Sequence, residues 1–313
     1  MRAEVMTLGT PNPRQREFLA CERKYVAFGG ARGGGKSWAV RCKAKLLALR
    51  YAGIRILLVR RSLAELEANH LAFLRQELAD VAEYRAGERQ FRFCNGSVLQ
   101  FGYCGCDRDL DRYQGAEYDV IFLDEATQLK EQWMRQIAAC VRGVNDFPKR
   151  IYYTCNPGGP GHGYIKRLFI DRRFEDGEQP EDYAFIPARV TDNTALLARQ
   201  PDYLKTLEAL PYKLRRAWLE GRWDVFAGQV FQEFTDDPDH YDDRRWTHVI
   251  RPFDVPREWN IYRSYDFGYA RPFSCGWWAV DHDGCVYRIA ELYGCTGTPD
   301  EGVLWTPERQ FAE

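Results

Sequence analysis

Apolar and polar positions along the first two hundred or so residues alternate between short fully apolar runs and stretches of helical spacing. That alternation predicts a layered α/β domain. Tyr25-Val-Ala-Phe28, Arg55-Ile-Leu-Leu-Val59, Val120-Ile-Phe-Leu123 and Arg150-Ile-Tyr-Tyr-Thr154 have the length and continuity of buried strands. Helical spacing fills 38–51 and 63–80, and a further helical region is expected from about Pro201 to Trp223. Gln90-Phe-Arg-Phe-Cys94 and Val98-Leu-Gln-Phe101 flank Asn95-Gly96-Ser97, which predicts a hairpin. Towards the C-terminus, 260–267, 274–280 and 286–292 predict three strands, with a turn at Asp281-His-Asp-Gly284 joining the last two. The glycine-rich loop Asn156-Pro-Gly-Gly-Pro-Gly-His-Gly163 and the acidic stretch Thr235-Asp-Asp-Pro-Asp-His240 punctuate the pattern. The economical division is two domains joined near 225–245.

Composition narrows the class. The chain of 313 residues carries 44 Lys+Arg against 45 Asp+Glu, with 45% hydrophobic residues. These values predict a folded protein whose nucleic-acid contacts come from a local patch and not from overall charge. Ten cysteines contain no C-x-x-C pair, and Cys94, Cys104 and Cys106 lack a second ligand pair at zinc-finger spacing. The N-terminus lacks the apolar core of a signal peptide, and no run of eighteen apolar residues follows. A reduced cytosolic protein with no membrane contact is expected.

Between the first strand and the first long helix lies Gly30-Ala-Arg-Gly-Gly-Gly35-Lys36-Ser37, a full match to G-x-x-x-x-G-K-[ST]. Gly30, Gly33, Gly34 and Gly35 let backbone N–H groups curl around phosphate oxygens, and the following helix N-terminus adds its dipole. Lys36 is expected on the β- and γ-phosphates of ATP, and the Ser37 hydroxyl on Mg²⁺. The strand 120–123 ends in Asp124-Glu125, which supplies a carboxylate for Mg²⁺ and a general base for water. Glu after the metal-binding Asp, with an extra strand between the two motifs, predicts an additional-strand P-loop ATPase. Thr154 and Asn156 then fall beside the γ-phosphate position at the sheet edge, where a polar pair can sense the phosphate or cap a turn.

In their order these blocks resemble the large terminase subunit of tailed bacteriophages, the motor and nuclease that packages DNA. The resemblance runs from Gln15 in Pro13-Arg-Gln-Arg-Glu-Phe-Leu19 through the phosphate loop with its Arg32 and Gln114-Gly-Ala-Glu-Tyr-Asp-Val-Ile-Phe-Leu-Asp-Glu-Ala-Thr-Gln128. It continues through Thr154–Gly163 and Trp218–Gly228 to Ser264-Tyr-Asp-Phe-Gly-Tyr269. It implies a motor domain over 1–228 with a helical lid at about 190–225, then the N-terminal part of an RNase H-like nuclease domain over 229–313. It further implies that Gln15 contacts adenine, that Arg32 stabilises charge on the leaving phosphate, and that Thr154 and Asn156 link hydrolysis to domain movement. Lys213, Arg215, Arg216 and Arg222 would meet DNA phosphates or form a solvated helix face. Asp266 falls at the first carboxylate of a two-metal nuclease site for Mg²⁺ or Mn²⁺, with Glu291 in reserve and the remaining ligands missing, so the second domain looks cut short. The implied partners are double-stranded DNA, a portal protein, a small terminase subunit and sister copies in a ring. The implied place is the host cytoplasm at the procapsid portal, not the mature virion. A helicase-like translocating ATPase and a non-catalytic docking remnant are the rival readings.

Overall fold

A computed structural model describes residues 9–225, 234, 236–245, 247–296 and 301–312. The chain forms two compact units that divide between Val249 and Ile250. That division falls later than the 228 boundary expected from the sequence, and residue 228 itself lies outside the described residues.

The first unit is built on eight strands: β1 (Tyr25–Gly30), β2 (Arg55–Arg60), β3 (Ala82–Arg85), β4 (Gln90–Phe93), β5 (Val98–Tyr103), β6 (Val120–Leu123), β7 (Arg150–Cys155) and β8 (Tyr183–Ala188). Their order across the sheet is β3-β4-β5-β2-β6-β7-β1-β8. The run from β5 to β8 is parallel, and β3 and β4 add an antiparallel flap at one edge. β6 is buried at all four positions because both sheet faces are covered, the reason its sequence is uniformly apolar. One face packs Phe28, Ile56, Leu58, Phe122 and Tyr152 against the helix α1 (Pro13–Ala20) and the helix α2 (Lys36–Arg50). The other packs Leu57, Val59, Ile121, Leu123 and Tyr153 against Trp133, Met134, Leu168 and Phe169.

Register sets up the site. Val59 pairs with Leu123, and Leu123 with Tyr153. One residue further on, Arg60, Asp124 and Thr154 therefore emerge side by side at the C-terminal edge of the parallel sheet. β7 lies between β6 and β1, so the strand ending in Thr154 and Cys155 separates the acidic motif from the phosphate loop.

Several elements differ from the sequence pattern. The expected helix over 63–80 is α-helical only at Leu63–Leu66 and Ala72–Glu77, with a π-helical turn at Glu67–Leu71 between them. The helical region after Pro201 is two short helices, Asp202–Glu208 and Tyr212–Trp218, preceded by a third at Thr194–Arg199. A helix, His162–Ile165, begins inside the glycine-rich loop. β8 carries Pro187 and no uniform apolar run, features of an edge strand that hide it from pattern reading.

The second unit is a three-stranded antiparallel sheet, β11-β10-β9, from β9 (Asn260–Asp266), β10 (Ser274–Val280) and β11 (Val286–Tyr293). Cys275 and Ala279 of the central strand are buried, while every residue of β9 is exposed. Helix Pro307–Ala312 is tied down by Gln310, whose Nε2 donates to the carbonyls of Gly268 and Trp305 at 2.7 Å each.

Candidate nucleotide site

The loop after β1 delivers the glycines expected to cradle phosphate. Gly33 and Gly35 both have φ of 77°, a left-handed conformation that disfavours side chains. A Cβ on Gly35 would also sit 2.3 Å from the Gln15 amide nitrogen. Gly35 caps α2 with no side-chain hydrogen bond, which leaves the first-turn N–H groups of a fifteen-residue helix for an anion. A cleft of about 640 Å³ opens over this turn. Arg32 to Ser37, Arg60, Glu125, Asn156 and Tyr203 are among its lining residues.

Lys36 is buried, and its Nζ donates to Ala31 O at 2.6 Å and to Asn156 Oδ1 at 2.7 Å. Burial lowers its ammonium pKa, while Glu125, Cys155 and Asp124 oppose that by raising it. On its other side the Asn156 amide donates to Glu125 Oε2 at 2.9 Å and Oε1 at 3.2 Å. Asn156 thus bridges the phosphate-loop cation and the expected base. Glu125 itself is held at φ 55°, an uncommon backbone state for a residue with a side chain. Its N–H donates to Thr154 Oγ1 at 2.8 Å.

The same Thr154 hydroxyl donates to Asp124 Oδ1 at 2.6 Å. Asp124 is 1% exposed, and its Oδ2 meets His70 Nε2 at 2.8 Å and Arg60 Nε at 3.2 Å. Burial pushes this carboxyl up, but His70, Arg60 and Thr154 outweigh burial and hold it well below the usual carboxylate range. Asp124 is therefore a charged oxygen donor beneath the cleft. Oxygen donors of a hydroxyl and a carboxylate, Ser37 and Asp124, fit a hard divalent cation that keeps most of its water.

Sequence reasoning thus named Lys36, Asp124, Glu125, Thr154 and Asn156, and the fold brings all five together. His70 and Arg60 were missed. His70 lay on what the spacing presented as an ordinary helix face, and Arg60 ended a strand next to a second arginine, Arg61.

Other expected residues have different surroundings. The amide of Gln15 is engaged by the chain: Oε1 accepts from Asn12 N at 2.9 Å and Nε2 donates to Gly35 O at 3.0 Å. It braces the loop beside the cleft. The Arg32 guanidinium lies 3.3 Å over the Trp218 ring, and Arg32 N donates to Trp218 O at 2.8 Å. Asn193 Nδ2 donates to Gly33 O at 2.7 Å, a second tie between the 190–225 segment and the loop. Gly221 is a third: at φ 72° its missing side chain lets the backbone pass against Gly30. The basic residues of this segment have partners of their own. Arg215 pairs with Asp239 at 3.1 Å, Arg216 and Arg222 pair with Asp224 at 3.5 and 3.0 Å, and Lys213 bonds to Phe234 O. These pairings suit a solvated helix face.

In the second unit Asp266 ends β9, exposed, paired across the sheet with Ser274. Glu291 on β11 forms an ion pair with Arg288 at 3.0 Å. Asp281 ties its own turn by accepting from the N–H groups of Asp283 and Cys285. Among the described residues, no three His, Cys, Asp or Glu side chains come together as a metal cage. Asp266 alone does not fit a two-metal site.

No helix among the described residues is long and apolar enough to cross a membrane. No curated protein matches the chain. Among solved structures, the large terminase of a thermophilic bacteriophage in complex with ADP is similar at TM-score 0.56 and 17% identity, covering 96% of this chain and 72% of that one. A second crystal form of that protein gives TM-score 0.57 at 18% identity, over 97% and 73%. The large terminase ATPase domain of Thermus phage P74-26, in a mutant form, gives TM-score 0.51 at 15% identity, over 68% of this chain and 94% of that one. At such identity these likenesses speak for the fold. The model of the family described as terminase large subunit, T4likevirus-type, N-terminal, matches residues 27–235, two thirds of the sequence, and the chain belongs to that family.

Proposed function

We propose that the chain hydrolyses ATP in the cleft over α2 and uses the energy to move double-stranded viral DNA into a procapsid. The observation that carries this reading is the bridge Lys36–Asn156–Glu125, which joins the phosphate-binding cation to a base on the neighbouring motif. The terminase structures from the thermophilic phage, described in complex with ADP and with ATP-γ-S, support a nucleotide in this fold.

Each residue then has a defined task. The α2 N-terminus and loop N–H groups bind the phosphates, and Lys36 leaves Ala31 O to neutralise the β- and γ-oxygens. Glu125 accepts the proton of the attacking water, whose oxygen goes to the γ-phosphorus as the β–γ bridging bond breaks. Ser37 and Asp124 would hold Mg²⁺, which would supply charge stabilisation to the phosphates. Arg32, released from Trp218, adds positive charge at the leaving phosphate. Gln15 reaches adenine only by giving up Gly35 O, so its first role is to brace the loop.

Loss of the γ-phosphate removes the partner of Lys36, and Asn156 passes that change to Glu125 and β7. The ties from Gly33, Arg32 and Gly30 to Asn193, Trp218 and Gly221 carry the change into the 190–225 segment, which acts as the lid. Residues 1–228 form the motor and 229–313 the N-terminal part of an RNase H-like nuclease domain, in which Asp266 alone does not make a metal site. The motor works as a ring on the portal protein, loaded by the small subunit, in the host cytoplasm.

The test is reconstituted packaging with procapsids, small subunit and linear double-stranded DNA. ATP-dependent protection of that DNA from added DNase, lost with Lys36→Ala, is expected. ATP hydrolysis without any protected DNA would leave an ATPase of another role.

A further inference from the structure

The Asp124 carboxylate has about four acceptor positions. Oδ1 takes the Thr154 hydroxyl, and Oδ2 takes His70 and faces Arg60. One position, on Oδ1, is left without a protein partner. His70 is 0% exposed, and its Nδ1 is buried with no hydrogen-bond partner. An imidazole buried with one nitrogen unpaired is costly unless the other nitrogen makes a strong bond. A carboxylate accepts and does not donate, so Nε2 carries the proton and donates to Asp124.

The backbone is shaped to bring this ring in. His70 sits on the π-helical turn Glu67–Leu71, a rare conformation that recurs at functional positions. Asn69 O in that turn accepts from Arg41 Nη1 at 2.7 Å, and Arg41 belongs to α2, the helix that starts at the phosphate loop. The turn is thus tied both to the phosphate-binding helix and to the acidic motif.

We propose that His70 is a positioning residue for Asp124: its Nε2–H holds Oδ2 and so fixes the carboxylate in the one orientation that leaves an acceptor position on Oδ1 for the divalent cation that accompanies the nucleotide. The proposal rests on the nucleotide-site reading above. Partners behind a metal-holding group typically change metal affinity or activity by about 10–100-fold when removed.

The experiment is a Mn²⁺ titration of the ADP-saturated protein followed by electron paramagnetic resonance, beside ADP affinity measured without metal. His70→Leu keeps the volume and removes the donor, and is expected to weaken Mn²⁺ binding by about 10–100-fold while metal-free ADP affinity stays at the parent value. His70→Gln, whose amide nitrogen reaches the place of Nε2, should recover most of the affinity, and the shorter His70→Asn should not. This second pair carries the test if His70→Leu fails to fold. A parent that binds neither ADP nor Mn²⁺–ADP would overturn the nucleotide-site reading itself. A parent that binds both, with His70→Asn and His70→Leu binding Mn²⁺ equally well, would overturn the role of His70. Parallel loss of metal-free ADP binding would also overturn it, since that marks general support of the cleft.

Discussion

Replacing Thr154 by valine removes one oxygen and almost no volume from a side chain that is 1% exposed. That oxygen has two partners: it donates to the Asp124 carboxylate and accepts from the Glu125 N–H. The first bond, to a charged group, is worth about 1.5–3 kcal/mol, and an unsatisfied buried N–H costs about 1–3 kcal/mol. A loss of about 2.5–6 kcal/mol in folding stability is the expected range, large against a typical domain's 5–15 kcal/mol. The effect on turnover comes through geometry. Glu125 is held at φ 55°, a state that persists only where surroundings enforce it, at a cost of about 1–3 kcal/mol. Freed from Thr154, its backbone relaxes and its carboxylate leaves the Asn156 amide. If that relaxation releases about 1.4–2.8 kcal/mol, kcat falls about 10–100-fold. Nucleotide affinity changes little, because the phosphate loop is untouched. Thr154→Ser keeps the hydroxyl and should return most of the rate. The assays are steady-state ATP hydrolysis and thermal unfolding of parent, Val and Ser proteins. Parental kcat in Thr154→Val, or equal losses in Val and Ser, would refute the argument.

Asn156→Ala should keep nucleotide affinity within a few-fold while slowing hydrolysis by about tenfold or more, since its bonds to two charged groups are lost together; faster turnover, measured by phosphate release, would mean that Asn156 restrains Glu125. Asp266→Ala should leave plasmid cutting in Mn²⁺ unchanged, because Asp266 stands without companion ligands; strong cutting by the parent that the substitution abolishes would show a completed cage. Burial pulls the Lys43 ammonium from 10.5 down to about 8, so the unfolded chain binds the proton more tightly and stability rises with pH between those values. The parent's Tm relative to Lys43→Met should therefore climb from pH 8 towards 10.5, and a flat difference would contradict the burial argument.

The site was legible where chemistry needs a fixed spacing. The phosphate loop must follow a strand and open a helix, so Gly30 to Ser37 announced themselves, and Asp124 and Glu125 followed from a four-residue apolar strand. Thr154 and Asn156 were readable only through the strand before them, whose place between β6 and β1 gives them their contacts. His70 and Arg60 depend on register and on a π-helical turn, neither of which leaves a mark in hydrophobic periodicity. The same holds for Arg41, Lys43 and Lys45: all three are buried on α2, where helical spacing alone presents cations as a solvent face. Trp218 and Gly221 lie in a block that the resemblance covers, but their contacts with Arg32 and Gly30, nearly two hundred residues earlier, come only from the fold.

The proposed ATP hydrolysis centres on the Lys36–Asn156–Glu125 bridge. The most direct measurement is phosphate release from ATP and Mg²⁺ by parent, Lys36→Ala and Glu125→Gln proteins, with nucleotide binding followed by a fluorescent ATP analogue. Without its cation, the Lys36→Ala loop should lose both binding and turnover. Glu125→Gln should bind like the parent and release no phosphate above background, because an amide cannot accept the water's proton. Turnover by Glu125→Gln at the parental rate, or a parent that binds ATP and never releases phosphate, would contradict the account.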